Sequence, residues 1–292
     1  MRTSLRRAIV LLVAGSGVTI EAQNPTFRSN TDLVPVYVSV HAGRSVAGTL
    51  AAQDFELTDR GVPQTVSAAN YEALPIDVTL VVDTSASVIT SLERFRADVR
   101  TIVTSLRTDE QIRLITFDTD IRQLLAMQAP SPRPPVREIR LGDRTSLVDA
   151  ITLAMARARR PDRRHLVFVF TDGYDTSSVL DYGGLPDLAG RIDGLLHIML
   201  VAPTDALDPI ARQKLSLLGA AAARTGGAIY PATAGDRNIV LAFNEAIEAF
   251  RHSYVIYFTP NGVEKPGWHD ITVRVKRQGG YTVRAREGYF GQ

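Results

Sequence analysis

The residues best suited to chemistry are Asp83, Ser85 and Ser87, which stand at alternate positions directly after the apolar run 78–82. That run has the composition of a strand buried on both faces of a sheet. In open α/β sheets, ligands bind just outside the carboxyl ends of the strands. One carboxylate and two hydroxyls at such a point are poor core residues and good ligands for a hard cation.

Two further segments supply the same kind of oxygen. Thr145 lies just before a predicted helix, and Asp172 follows a second apolar run, 166–170. In a parallel sheet, all three segments reach the same edge, and their hydroxyls and carboxylates favour Mg²⁺, with Mn²⁺ or Ca²⁺ as alternatives. We therefore predict a metal site, without any catalytic residue, that consists of Asp83, Ser85, Ser87, Thr145 and Asp172.

Structural roles compete with this prediction. Asp83, Ser85 or Ser87 could cap a helix that starts near Ser91, and Thr145 could cap the next predicted helix. A cap needs only one such residue, so three at alternate positions favour the metal. Asp118 and Asp120 flank Thr119 between two predicted strands, where we assign them to turn chemistry.

The elements that would position these residues alternate between Ile76 and Arg251. Apolar runs predict strands at 78–82, 112–117, 121–125, 166–170, 195–201 and 229–230. Helical periodicity predicts helices near 92–106, 147–159, 209–225 and 239–251. This alternation predicts the α/β class: a doubly wound, mostly parallel, Rossmann-like sheet covered on both faces.

Short alternating runs before Tyr71 and after His252 predict strands on both sides of this region. The segment 278–280, Gln-Gly-Gly, predicts a hairpin turn between two of them. Neither flank can bury a sheet alone, so we expect both to pair into one small antiparallel β-rich accessory unit. The expected boundaries are a flank at 23–74, the α/β domain at 75–251 and a second flank at 252–292.

The first 22 residues have the features of a secretory signal peptide: a basic start, a short apolar stretch and a small residue at Ala22. An uncleaved anchor is the alternative. Without residues 1–22, which hold Arg2, Arg6, Arg7 and Glu21, the chain keeps 30 basic and 30 acidic residues. The sequence has no basic patch with interleaved aromatics, so a nucleic-acid partner is not expected.

Composition and missing motifs exclude several classes of enzyme. The chain has no cysteine, which excludes a disulfide framework, a thiolate zinc site and a cysteine nucleophile. It also has no His-Glu-x-x-His, Gly-x-Ser-x-Gly or phosphate-loop motif. We therefore expect a protein that is not an enzyme.

In this order, Asp83-Thr84-Ser85-Ala86-Ser87, Thr145 and Thr171-Asp172-Gly173 resemble the metal-ion-dependent adhesion site (MIDAS) of von Willebrand factor type A (VWFA) domains. The resemblance covers about 75–251. Within the flanks, the segment 46–62 and the ending 281–290 resemble bacterial exported VWFA-related proteins. One departure is the pair Asp143-Arg144, where such loops commonly have small glycines.

The resemblance implies how such a site would work. Ser85, Ser87 and Thr145 would bind the cation directly or through a short water bridge, and Asp83 and Asp172 would hold waters beside it. An open coordination position would accept an Asp or Glu carboxylate from a protein partner, for adhesion, assembly or envelope scaffolding. The protein would be periplasmic or secreted and would meet a membrane only indirectly. Two alternatives remain: a metal-assisted hydrolase that uses the same site, and a metal-free structural protein.

Overall fold

The computed structural model describes residues 33–291, apart from 44, 48–49, 72–73, 89–91, 157–159, 161, 202–207 and 232–238. The predicted signal peptide at 1–22, the segment 23–32 and residue 91, near which the first helix is predicted to start, therefore lie outside the described residues. The described residues belong to one compact unit, Asp32–Gln292.

The strands, in chain order, are β1 Val34–Ala42, β2 Ser45–Val46, β3 Phe55–Asp59, β4 Val62–Gln64, β5 Val66–Tyr71, β6 Ile76–Asp83, β7 Gln111–Phe117, β8 Ile121–Gln128, β9 Arg164–Thr171, β10 Leu195–Leu200, β11 Ala228–Pro231, β12 Tyr254–Phe258, β13 Gly267–Val275, β14 Tyr281–Ala285 and β15 Gly288–Gly291. The helices are α1 Leu92–Ser105, α2 Leu147–Met155, α3 Leu185–Arg191, α4 Pro209–Thr225 and α5 Ile239–Arg251.

A central sheet runs in the order β11-β10-β9-β6-β7-β8. All its neighbouring strands are parallel except β8, which runs antiparallel to β7. Strands β6 and β9 lie at its centre and are buried along their whole length, as strands covered on both faces should be. This sheet confirms the predicted doubly wound α/β class.

Alternate side chains of β6 serve two separate cores. Val78, Leu80 and Val82 pack on one face with residues of α1 and α5. Val81 packs on the opposite face with residues of α2, α3 and α4. Because helices cover both faces, polar groups of the sheet can reach solvent at the strand ends, which is where function is to be sought.

The two flanks form the antiparallel accessory unit that the sequence predicts. One of its sheets has the order β14-β1-β12-β5, with β2 beside β1, and the other has the order β15-β13-β3-β4. Strand β1 joins the two ends of the chain, since Val34 lies opposite Phe258 and Val38 opposite Ala285. The two sheets share one core, which includes Val36, Phe55 and Tyr289.

The predicted hairpin at 278–280 is wrong. The strand before it, β13, pairs with β3 and β15, whereas the strand after it, β14, pairs with β1 in the other sheet. The glycine-rich turn therefore carries the chain from one sheet to the other. The helix predicted at 147–159 ends at Met155, and 157–159 lie outside the described residues.

The sequence does not predict helix α3 or the short strands β2, β4 and β15. In the described part of the chain, no helix is both long enough and apolar enough to span a bilayer.

Candidate metal site

Asp83 ends β6 at the carboxyl edge of the central sheet and is fully buried. Its Oδ1 accepts a hydrogen bond from the Ser85 backbone N–H at 2.9 Å. Its Oδ2 accepts one from the Thr171 hydroxyl at 2.7 Å. The parallel register pairs Val82 with Phe170, so Thr171 ends β9 beside Asp83. The sheet itself therefore brings the first and third predicted segments together.

The hydroxyls of the first segment continue this network toward Asp172. The Ser85 and Ser87 hydroxyl oxygens lie 3.1 Å apart. The Ser87 hydroxyl donates to Asp172 Oδ2 at 2.6 Å, and the Tyr174 backbone N–H donates to Asp172 Oδ1 at 3.0 Å. Ser85 is buried while Ser87 is exposed, so this group of oxygens begins in the core and opens to solvent.

Thr145 lies on the neighbouring loop and is buried. That loop is joined to the first segment through the Gly142 backbone N–H, which donates to the Thr84 carbonyl at 3.0 Å. It is joined to the third segment through the Thr176 backbone N–H, which donates to the Thr145 carbonyl at 2.9 Å. The structure thus joins Asp83, Ser85, Ser87 and Asp172 in one hydrogen-bond network. It places Thr145 on the adjoining loop, but within the described residues the Thr145 side chain takes no part in that network.

The structure removes the capping role proposed for Thr145. The first N–H groups of α2 are capped from the loop after β9: the Val148 N–H donates to Asp175 Oδ2 at 2.8 Å and the Asp149 N–H to the Ser178 hydroxyl at 3.1 Å. Asp175 therefore stabilises the start of the helix, as an N-terminal cap does. The Thr145 hydroxyl is not needed for this purpose.

Within the described residues, the two carboxylates of the site have no basic side chain among their hydrogen-bond partners. Burial raises the pKa of Asp83 to about 6, with a further contribution from the charge of Asp172, against hydrogen bonds from Ser85 and Thr171 that lower it. Among the described residues, hydroxyls and backbone amides are the partners of both carboxylates. A bound cation would lower this electrostatic cost.

The oxygens present suit a hard cation. Two carboxylates and three hydroxyl-bearing residues match the preference of Mg²⁺ for oxygen ligands and retained waters. Within the described residues, no group of three or more His, Cys, Asp or Glu side chains is arranged for a metal. The predicted set contains only two carboxylates, so such a group is not required for it.

Sequence analysis missed the environment of Asp118. This residue follows β7 and does accept the Asp120 N–H, as the predicted turn requires, at 2.9 Å. It is also buried, with 1% of its surface exposed, and is bonded to Arg122 by two contacts. The available signal was its place directly after the apolar run 112–117, just as Asp83 directly follows the apolar run 78–82.

Comparison with known proteins places this geometry in a family context. Residues 78–188 match the sequence profile of the VWA-like domain family (DUF2201). That segment contains all five residues of the candidate site. Among curated proteins, none matches this sequence.

Solved structures with a similar arrangement include a von Willebrand factor type A protein from Catenulispora acidiphila, at 11% identity over 90% of this chain and 75% of that chain, with a TM-score of 0.47. The ArnB paralog VWA2 from Sulfolobus acidocaldarius has 12% identity over 87% and 75%, with a TM-score of 0.48. An aerotolerance-related membrane protein from Bacteroides fragilis has 17% identity over 60% and 98%, with a TM-score of 0.42.

The profile match includes most of β6 and all of β7 and β9. It agrees with the resemblance inferred from Asp83, Ser85, Ser87, Thr145 and Asp172. Residues 78–188 of this chain are therefore similar to a VWA-like domain.

Proposed function

We propose that this protein is an exported binding module that captures a protein partner through a divalent cation held by Asp83, Ser85, Ser87, Thr145 and Asp172. The observation that carries the proposal is the hydrogen-bonded chain from Asp83 through Ser85 and Ser87 to Asp172. Asp83 is buried, and a buried carboxylate is normally paired or bound to a metal. Within the described residues, hydroxyls and backbone amides are the partners of Asp83 and of the half-buried Asp172.

The VWA-like fold supports a protein-interaction or scaffold module. The five oxygen-bearing residues suggest how such a module would bind its partner, which is through a cation. Three of the five residues are neutral hydroxyl-bearing side chains. If these three bound the ion and the two carboxylates held waters beside it, the ion would keep its electrophilic character at an open position. Such an ion, when bound, supplies an electrophilic position for an Asp or Glu carboxylate from the partner. Mg²⁺ is the first candidate, and Mn²⁺ and Ca²⁺ are the alternatives.

Export is proposed from the sequence of residues 1–22. That stretch has three arginines near its start and a short apolar run, as a secretory signal does. A periplasmic or extracellular location would let the module bind envelope or cell-surface proteins. Mass spectrometry of the protein recovered from a periplasmic extract tests this, because cleavage would give a new terminus after Ala22.

Metal binding is tested by isothermal titration of the protein with MgCl₂ or MnCl₂. We expect a single saturable site in the wild type and its loss in Ser85→Ala, which removes a hydroxyl of the chain without adding charge. Ser67→Ala is the matched control, because it likewise removes one serine hydroxyl, at an exposed position on β5 of the accessory unit. No heat with either ion at millimolar concentration would contradict the proposal and favour a metal-free structural role.

Partner capture is tested separately with the immobilised protein and an envelope extract. We expect proteins that bind in Mg²⁺, elute with chelator and do not bind the Ser85→Ala variant. Turnover of ester or phosphoester substrates by the metal-loaded protein, lost in Ser85→Ala, would instead favour the hydrolase alternative.

A further inference from the structure

Asp118 lies at the carboxyl end of β7, beside the end of β6, and its carboxylate is held from several directions. Arg122 donates to it twice, from Nη1 to Oδ2 at 2.7 Å and from Nη2 to Oδ1 at 3.1 Å. The Asp120 backbone N–H donates to Oδ1 at 2.9 Å. A carboxylate with this many donors is fixed in place, because moving it breaks several charge-assisted bonds at once.

One side of Asp118 contacts the first ligand segment. The Thr84 hydroxyl lies 3.2 Å from Asp118 Oδ2 and 3.1 Å from the Phe117 carbonyl, which share its proton. The Thr84 backbone N–H also donates to the Phe117 carbonyl at 2.8 Å. Thr84 stands between Asp83 and Ser85, so its position determines where those two side chains start.

The other side of Asp118 contacts the loop that carries Thr145. The Ser146 backbone N–H donates to the Asp118 carbonyl at 2.9 Å. Gly142 packs directly on the carboxylate, since a Cβ at that position would lie 2.4 Å from Asp118 Cγ and 2.7 Å from Oδ2. Gly142 and Ser146 enclose Thr145 in sequence, so Asp118 supports this loop at both ends.

The charge of Asp118 is already compensated, which separates it from the ligand carboxylates. Burial raises the pKa of Asp118, but hydrogen bonds from the Asp120 backbone and from Arg122 outweigh it and hold that pKa below its ordinary value. Because Arg122 satisfies both of its oxygens, Asp118 is better placed to orient ligand loops than to bind an ion itself.

We propose that Asp118, paired with Arg122, is a positioning residue that sets the spacing between the Asp83–Ser87 segment and the Thr145 loop. This inference rests on the proposed metal binding and adds to it a residue outside the ligand set. Residues that orient metal ligands typically contribute about 10- to 100-fold to metal affinity. Asp118→Asn keeps the shape of the side chain and removes its charge, so we expect Mg²⁺ affinity to fall by about that factor, with one site still present.

A matched control lies at the other end of the same strand. Glu110 precedes β7, is 2% exposed, and is also held by two bonds from an arginine, Arg251, at 2.6 and 2.7 Å. Glu110→Gln should lower the melting temperature at least as much as Asp118→Asn, because each variant weakens an ion pair whose carboxylate is buried and, of the two arginines, only Arg251 is itself buried. We expect the Glu110→Gln protein to bind Mg²⁺ within about twofold of the wild type, since a residue at the far end touches none of the ligand loops.

The outcomes of isothermal titration separate the two proposals. If the wild type does not bind Mg²⁺ or Mn²⁺, the proposed function fails, and the role of Asp118 fails with it. If the wild type binds and Asp118→Asn binds equally well, only the positioning role is overturned. The same conclusion holds if Glu110→Gln weakens binding as much as Asp118→Asn, because loss of stability would then explain both.

A second variant covers the case in which Asp118→Asn does not fold. Arg122 has 41% of its side chain exposed, so Arg122→Gln perturbs the pair from the surface and leaves the bonds from Thr84 and Asp120 in place. We expect a weaker effect in the same direction, a loss of several-fold in Mg²⁺ affinity with one site retained. Unchanged affinity in a folded Arg122→Gln protein would contradict the proposal.

Discussion

At the amino end of the central sheet, Asp77 and Glu110 are buried carboxylates that each pair with an arginine. Arg163 bonds to Asp77 through its Nε, and Arg251 holds both oxygens of Glu110. These arginines also connect elements, since Arg163 donates to the Asp109 carbonyl at 2.8 Å. The carboxylates at this end are therefore compensated within the chain and act as structural connections.

At the carboxyl end, Asp83 and Asp172 have hydroxyls and backbone N–H groups as partners within the described residues. Asp118 lies at the same end but is paired with Arg122. The edge of the sheet therefore does not by itself separate the paired carboxylates from the unpaired ones. They differ in whether an arginine of the protein lies against the carboxylate. Where it does not, we propose that an external cation is the partner.

The largest effect should come from breaking a pair at the amino end. Arg251→Ala leaves Glu110 buried without its cation, and we expect the free energy of unfolding to fall by about 3–5 kcal/mol. Urea denaturation followed by circular dichroism measures this, in the presence of chelator. A loss of less than about 1 kcal/mol would show that this carboxylate tolerates its site unpaired, and the contrast between the two ends would disappear.

A change of opposite sign is expected at the carboxyl end. The pKa of Asp83 is raised in the fold from 3.8 to about 6, so the folded state binds its proton more tightly than the unfolded state does. Without metal, this residue therefore costs no stability below about pH 4, and the cost is complete above about pH 6. Asp83→Asn should stabilise the metal-free protein at pH 7.5 by on the order of 2 kcal/mol.

Thermal unfolding of wild type and Asp83→Asn in chelator, at pH 4.5 and pH 7.5, checks the sign. The difference in melting temperature should be small at pH 4.5 and favour the variant at pH 7.5. Addition of MgCl₂ at pH 7.5 should raise the melting temperature of the wild type but not that of the variant. A variant that is less stable than the wild type at pH 7.5 without metal would refute the view that Asp83 is an uncompensated charge.

The smallest effect sharpens the comparison within the amino end. Arg160 lies 3.7 Å from Asp77 and has 42% of its side chain exposed, while Arg163 already bonds to the same carboxylate. We expect Arg160→Ala to change the free energy of unfolding by less than about 0.5 kcal/mol. Arg163→Ala is the matched variant and should cost several times more, as measured by urea denaturation. Equal losses would show that Asp77 needs both arginines.

Much of this arrangement was predictable because buried strands and amphipathic helices have distinct apolar periods. The bounds of α4 and α5 agree with the prediction. Helix α3 was missed because Gly183, Gly184 and Pro186 are turn signals. Here Pro186 stands in the first turn of the helix. A proline is tolerated there because the N–H groups of the first turn have no partner within the helix. Seven residues are also too few to show a helical period.

The candidate site was predictable only in part. Asp83 and Asp172 could be found because each follows a buried strand. The role of Asp118 depends on contacts with Gly142 and Ser146, which lie more than twenty residues away in sequence. It also depends on the burial of its carboxylate against Arg122, whereas the sequence predicts an exposed turn. Local turn propensity describes Asp118 and Asp120 in the same way, although the first is buried and the second exposed. Only the packing of the loop at 142–146 against β7 separates them.

The pairing of β1 with β12 and β14 has a consequence for biosynthesis. Strand β1 is complete once Ala42 has been made, but its two long partners begin at Tyr254 and Tyr281. Only its last two residues pair with a strand made soon after it, β2. More than two hundred residues must be translated before the rest of β1 is paired, and until then most of its length has open edges, which is the state that promotes association between chains. A chain that terminates early, before Tyr254, would keep that edge open permanently, so truncated products should aggregate or be degraded even when their central sheet is complete.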